Sequence, residues 1–192
     1  MTENIVLCGV GGQGTILASK LISAAAMKKG LEVMSAETIG MAQRGGSVFS
    51  HIRVGGSIGA PMFGRGSADI IIAFEPGEAV RQLPYLKSGG TVVCNSSASM
   101  PTTAALKGGN YSGQEMTAYL EKAVLPGRLF LVDGQDAARQ LGNPRVLNMI
   151  LLGTAARSGA FCLSEEDLLC AMPGTVPERF LDLNKKAFKF TA

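Results

Sequence analysis

The 192-residue chain carries a formal charge of +3, with its 18 Lys and Arg scattered rather than drawn into a basic stripe, and this excludes a nucleic-acid surface. Its apolar runs are all shorter than the ~20 residues of a membrane span, the longest candidate, 146–163, being broken at Arg157 and Ser158. Cysteines stand at 8, 94, 162 and 170 without a CxxC pair, so neither zinc nor an iron–sulfur cluster finds its usual ligand spacing. The start, Met1-Thr2-Glu3-Asn4, has no basic region leading into an apolar one, and the expectation is a cytoplasmic chain with reduced thiols. Charged residues are 17% of the total, against roughly 25% in an average soluble domain. A permanent partner covers such a surface well; a Gly-rich fold that needs few charges is the other reading, and 25 glycines allow it.

In chain order, Ile5 to Cys8 is a short uncharged apolar run, as a strand buried on both faces requires. A helix follows from Thr15 to Lys29, with Gly30 as its stop, and Leu31 to Ser35 reads as a second strand, completing a βαβ unit. Val48 to Val54 is a β-type run, and Gly55-Gly56 before Ser57-Ile58 predicts a hairpin turn. Strands of the buried, parallel type recur at 69–74, 91–95 and 129–133. Helices are expected at 76–86, 112–124, 136–141, 144–160 and 177–190, with a short one capped by Ser164. Ser112 and Glu115 have capping-box spacing, and Pro144 suits a first helical turn. The expected fold is a three-layer α/β/α domain over residues 1–192, its sheet mostly parallel with an antiparallel β-hairpin insertion.

Two segments have the residue types that hold phosphate. Gly9-Val10-Gly11-Gly12-Gln13-Gly14 follows a strand and opens a helix, where glycines let the backbone approach a pyrophosphate and helix N–H groups stand free. The same glycines also serve plain strand–helix packing. In Gln43-Arg44-Gly45-Gly46-Ser47, two glycines after an arginine allow an anion nest beside a guanidinium. On the strand that follows, alternation puts Phe49, His51 and Arg53 on one face. His51, the one histidine of the chain, is either a structural residue there or part of a phosphate-facing group with Arg44 and Arg53. Glu37 stands past Gly14 at about the ~20-residue distance at which a nicotinamide cofactor's ribose is held. Yet Tyr119 has Ala123, not lysine, four places on, so the acid–base pair of short-chain dehydrogenases is missing.

Taken together, Gly9 to Thr15, then Ser35-Ala36-Glu37-Thr38-Ile39-Gly40-Met41-Ala42-Gln43-Arg44-Gly45-Gly46-Ser47-Val48, then Ser50-His51-Ile52-Arg53, resemble the beta subunit of the indolepyruvate:ferredoxin oxidoreductase family. They are also similar to the gamma subunits or domains that serve pyruvate, 2-oxoisovalerate and 2-oxoglutarate. The likeness continues through 69–75 and 148–153, and the Gln43-to-Ser47 stretch is its specific part.

The resemblance implies a Rossmann-like fold and a subunit inactive alone. With a large alpha subunit it would oxidatively decarboxylate an arylpyruvate, giving an acyl-CoA, CO2 and reduced ferredoxin. Thiamine diphosphate and iron–sulfur clusters would lie on that partner, and this chain would bind no cofactor by itself and have no catalytic or metal-ligating residue. Asp133-Gly134 here is not followed by the Asn-Asn of a thiamine diphosphate motif. The small subunit is expected to help form the region that receives coenzyme A, through Gly9, Gly11, Gly12, Gln13, Gly14, Arg44, Gly45, Gly46, His51 and Arg53. Two alternatives stay open at this point: an independent NAD(P)-dependent oxidoreductase, and a nucleotide- or CoA-binding regulatory module.

Overall fold

A computed structural model describes residues 2–38, 46–99 and 111–191. Strand β1 (Glu3–Val10) runs through the glycine loop into helix α1 (Thr15–Lys28) and then strand β2 (Glu32–Thr38). Strand β3 (Ser47–Gly55), β4 (Ala68–Ala73), α2 (Pro76–Gln82), a 3-10 turn at Leu83–Tyr85 and β5 (Leu86–Asn95) follow. The second half alternates α3 (Gly113–Ala123), β6 (Leu129–Val132), α4 (Gly134–Leu141), a 3-10 turn at Pro144–Val146, α5 (Leu147–Arg157), α6 (Glu165–Ala171) and α7 (Leu181–Phe188). No helix among the described residues is long and apolar enough to cross a membrane.

One six-stranded sheet carries these elements in the order β2-β3-β1-β4-β5-β6. The ladders β1–β4, β4–β5 and β5–β6 are parallel, while β3 is antiparallel to both β1 and β2. The expected antiparallel element exists, but its place differs. Gly55-Gly56 does not turn β3 back on a strand at Ser57. β3 instead pairs with β2, from Glu32↔Gly55 to Thr38↔Phe49, and wedges between the two strands of the predicted βαβ unit. The reason is hydrogen-bond demand: β3 is apolar on one face and long enough to satisfy two neighbours, whereas Ser57-Ile58 offers two residues.

Alternation along the strands builds two cores. Ile5 and Leu7 with Ile52, Ile70, Ile72 and Val93 face α1, α4, α5, α6 and α7. Val6, Cys8, Ile71, Ala73, Val92 and Cys94 face α2 and α3. Burying both faces explains the uncharged runs. Helix α5 is core: Met149 to Leu152 are at most 1% exposed. Capping also departs from expectation. Ser112 makes no side-chain cap at α3, whereas Ser164 and Asp167 form a reciprocal capping box at α6. The 3-10 turn at Pro144 takes the first positions assigned to α5, with Asn143 Oδ1 accepting from the Arg145 amide at 2.9 Å.

Candidate functional site

The glycine loop leaves β1 at its carboxyl end, beside the carboxyl end of β4, where the chain reverses its direction of travel across the sheet. Open α/β sheets receive ligands at such a point. Gln13 ties the loop down. Its Oε1 accepts from the Val10 amide at 2.7 Å, and its Nε2 donates to Phe74 O and Ser99 Oγ, each at 3.2 Å. Gly9 has to be glycine because a Cβ there would lie 2.6 Å from Gln13 Oε1 and 2.8 Å from Phe74 Cβ. Gly12 and Gly14 hold φ of +102° and +91°, the left-handed region that favours glycine, and Gly14 is the N-cap of α1. The Gly11 amide donates to Gly46 O at 2.9 Å, which pins the end of the Gln43-to-Ser47 stretch to the loop. Arg44 and Gly45 lie outside the described residues.

Between this loop and the carboxyl ends of β5 and β6 opens a cleft of about 540 Å³, lined by Gly12–Gly14, Asn95, Ser97, Gly134, Arg145 and Asn148 among others. Asn95 builds its floor. Its Nδ2 donates to Phe74 O and Ser97 O, and its Oδ1 accepts from the amides of Ser97 and Gly134. Asp133 caps α4 by accepting from the amides of Gln135 and Asp136, and these bonds hold its carboxyl below the usual range. On the far side of the loop a smaller pocket of about 350 Å³ lies against Thr15, Ile16, Glu37 and Ser50. Asn95, Arg145 and Asn148 were not singled out from the sequence. Arg145 stood directly after a Pro-initiated helix start, and Asn148 was an isolated amide in an apolar helix; both signals were readable.

His51 and Arg53 do not join the loop. Antiparallel pairing sets Val48 opposite Gly9 but Arg53 opposite Asn4, so Arg53 stands roughly 16 Å down the sheet. Their side chains also project toward the α2–α3 layer, whereas the loop opens α1 on the opposite face. Arg53 Nε donates to Asn4 Oδ1 at 3.0 Å and Nη1 to Ala60 O at 2.9 Å, which ties down the segment after β3. His51 is 0% exposed, stacked on Phe63 at 4.2 Å and edge-on to Tyr85 at 4.9 Å. Neither ring nitrogen has a hydrogen-bond partner among the described residues.

Burial lowers the His51 pKa from its ordinary 6.5, so the folded protein holds a neutral ring. The unfolded chain then binds the extra proton, and stability rises with pH across that interval. The stability tied to the neutral ring is complete above pH 6.5 and declines as pH falls below that value. Urea midpoints measured at about pH 7.5 and 5.5 are expected to drop more in the native chain than in His51→Phe. Equal pH dependence in the two would refute the assignment.

Buried acids lie beside the loop as well. Glu75 and Glu78 are 3% and 6% exposed. Glu75 Oε2 caps the Glu78 amide at 3.0 Å, the Tyr111 hydroxyl donates to Glu75 Oε1, and Ser47 Oγ donates to Glu78 Oε2 at 2.5 Å. Burial first, then the bond to Glu75, pushes the Tyr111 phenol well up. Burial does the same to the thiols of Cys8 and Cys94, which makes them poor nucleophiles. No cluster of three metal-ligating side chains occurs among the described residues.

A mixed sheet with a glycine loop at its switch point makes this a Rossmann-like α/β domain. The pattern of the family described as pyruvate ferredoxin/flavodoxin oxidoreductase matches residues 4–191, and the chain belongs to that family. It is 40% identical over 190 residues to the indolepyruvate oxidoreductase subunit IorB of Methanothermobacter thermautotrophicus, covering 98% of this chain and 95% of that one. Among solved structures, its fold is similar to the gamma subunit of a keto/oxoacid ferredoxin oxidoreductase from Geobacter sulfurreducens, with a TM-score of 0.67 at 24% identity over 97% and 94% of the two chains. A TM-score of 0.66 at 24% identity relates it to the 2-oxoglutarate:ferredoxin oxidoreductase of Magnetococcus marinus, solved with 2-oxoglutarate, coenzyme A and succinyl-CoA bound; 97% of this chain covers 30% of that longer one.

Proposed function

We propose that this chain is the small subunit of an indolepyruvate-type 2-oxoacid:ferredoxin oxidoreductase of the cytoplasm, and that its glycine-loop cleft receives coenzyme A. The near-full-length identity to an indolepyruvate oxidoreductase subunit carries the reading. The cleft is its structural support: the Gly12 and Gly14 amides, which have no acceptor among the described residues, and the cation of Arg145 suit the diphosphate of the coenzyme. Thiamine diphosphate and iron–sulfur clusters, on a large partner subunit, would supply decarboxylation and electron transfer to ferredoxin. The work of this chain is binding and orientation. Gln13 and Asn95 fix the loop and the cleft floor, and the thiol end of the coenzyme reaches toward the partner.

Purified alone, the protein is expected to be colourless and inactive toward 2-oxoacids. Co-purified with its large partner, it is expected to support coenzyme A-dependent viologen reduction, fastest with an arylpyruvate. A brown isolated chain with stoichiometric iron, or micromolar binding of NADH by it, would overturn the reading.

A further inference from the structure

We infer that the Asn148 side-chain amide and the open N-terminus of α1 together form the phosphate-binding point of the cleft. This rests on the coenzyme A reading above and adds to it the atoms that hold the diphosphate.

Asn148 is 2% exposed in the first turn of α5, surrounded by apolar neighbours from Leu147 to Leu152. Its Oδ1 is satisfied by the Met149 amide at 2.9 Å. Its Nδ2 has no acceptor among the described residues, although the side chain lines the cleft. A donor on a nearly buried side chain, left without a protein acceptor at the cleft, calls for a partner there. That nitrogen sits against the start of α1: a Cβ on Gly14 would lie 3.0 Å from it. A side chain at position 14 would therefore separate the amide from the helix it faces.

The helix end is open in the same direction. Gly14 supplies no side-chain cap, and the first turn of α1, a helix of 14 residues, has no acidic residue. Its leading N–H groups lack intrahelical partners, and the helix dipole places partial positive charge there. Helix α4, which also lines the cleft, differs: Asp133 already caps it. One group with several acceptor oxygens and negative charge satisfies both the α1 amides and Asn148 Nδ2, and a phosphate fits that description.

The test uses the assembled complex with its large subunit, coenzyme A, and inorganic pyrophosphate as a minimal probe. Hydrogen exchange on the native complex comes first. Coenzyme A is expected to protect the amides of residues 14–17, and pyrophosphate to protect the same amides at higher concentration. Asn148→Leu is expected to raise the KM for coenzyme A about tenfold, equivalent to about 1.4 kcal/mol, and Asn148→Asp to raise it further. The KM for the 2-oxoacid stays within about twofold, and pyrophosphate weakens as a competitor in parallel. A purely structural Asn148 would lower stability without splitting the two KM values. No protection by coenzyme A would sink the coenzyme A reading itself. Protection by coenzyme A but not by pyrophosphate, or unchanged KM values in the variants, would overturn the phosphate point alone.

Discussion

Gly153→Ala is expected to lower the unfolding free energy by about 3 kcal/mol, from overpacking of ~1–3 kcal/mol and weakened bonds to a charged group. In most helices the change would be favourable by up to about 1 kcal/mol, because alanine has the higher helix propensity. Here contact reverses the sign. A Cβ on Gly153 would lie 1.9 Å from Phe188 O and 2.9 Å from its carbonyl carbon. Those are backbone atoms, so the end of α7 has to move rather than one side chain. The same carbonyl accepts from Arg157 Nη1 at 2.9 Å, and Phe190 O accepts from Arg157 Nη2 at 2.8 Å. Shifting α7 therefore strains the guanidinium contacts that hold the end of the chain. For a domain of this size the loss corresponds to a fall in Tm of roughly 6–12 °C. Circular dichroism melts measure it, with early proteolysis after 177 as a second readout. A Tm within about 1 °C of the native value would show that α7 is free to move aside.

Arg44→Ala is expected to raise the apparent KM for coenzyme A ten- to hundredfold in the assembled enzyme while leaving the 2-oxoacid dependence nearly unchanged. Arg44 precedes two glycines, and the second, Gly46, is bonded through its carbonyl to the Gly11 amide of the glycine loop. A guanidinium can meet a phosphate with two parallel hydrogen bonds. Hydrogen bonds to charged groups contribute about 1.5–3 kcal/mol, and about 1.4 kcal/mol makes a decade in affinity. Were Arg44 instead paired with a carboxylate that holds the loop or the subunit contact, the variant would lose stability or partner binding. Both KM values would then stay put in whatever complex survived. Varying coenzyme A and the 2-oxoacid separately distinguishes the two roles.

Most of the fold was legible because strands covered on both faces read as short uncharged apolar runs bounded by turn residues. Ile5–Cys8, Ile70–Ala73 and Val92–Cys94 are apolar at every position, and each proved to be an inner strand. The order of strands was not legible in the same way. Gly55-Gly56 has turn chemistry, but pairing is decided by what lies alongside in space, and β3 found β2 and β1 on either flank. The candidate site divides along the same line. Alternation correctly put Phe49 and His51 on one face, their ring centroids 5.7 Å apart. Which face that is, and at which end of the sheet Arg53 falls, depends on strand order, so the proposed company of His51 and Arg53 with the glycine loop did not form. The Asn148 signal, one amide in an apolar helix, was readable, but periodicity counts the helix and passes over it.

The wedge of β3 between β1 and β2 bears on how the protein is made. A plain βαβ unit can zip its two parallel strands together as soon as the second emerges from the ribosome. Here β1 and β2 have no ladder in common, and the first rungs available join Val10 to Ser47 and Thr38 to Phe49. Synthesis must reach β3, at residue 47, before any hydrogen bond of the central sheet can close. Until then α1 has no sheet to rest on, and the glycine loop cannot take its Gly46 partner. The glycine loop is thus assembled in one non-local step, later than in a plain βαβ unit, and such non-local pairing slows folding.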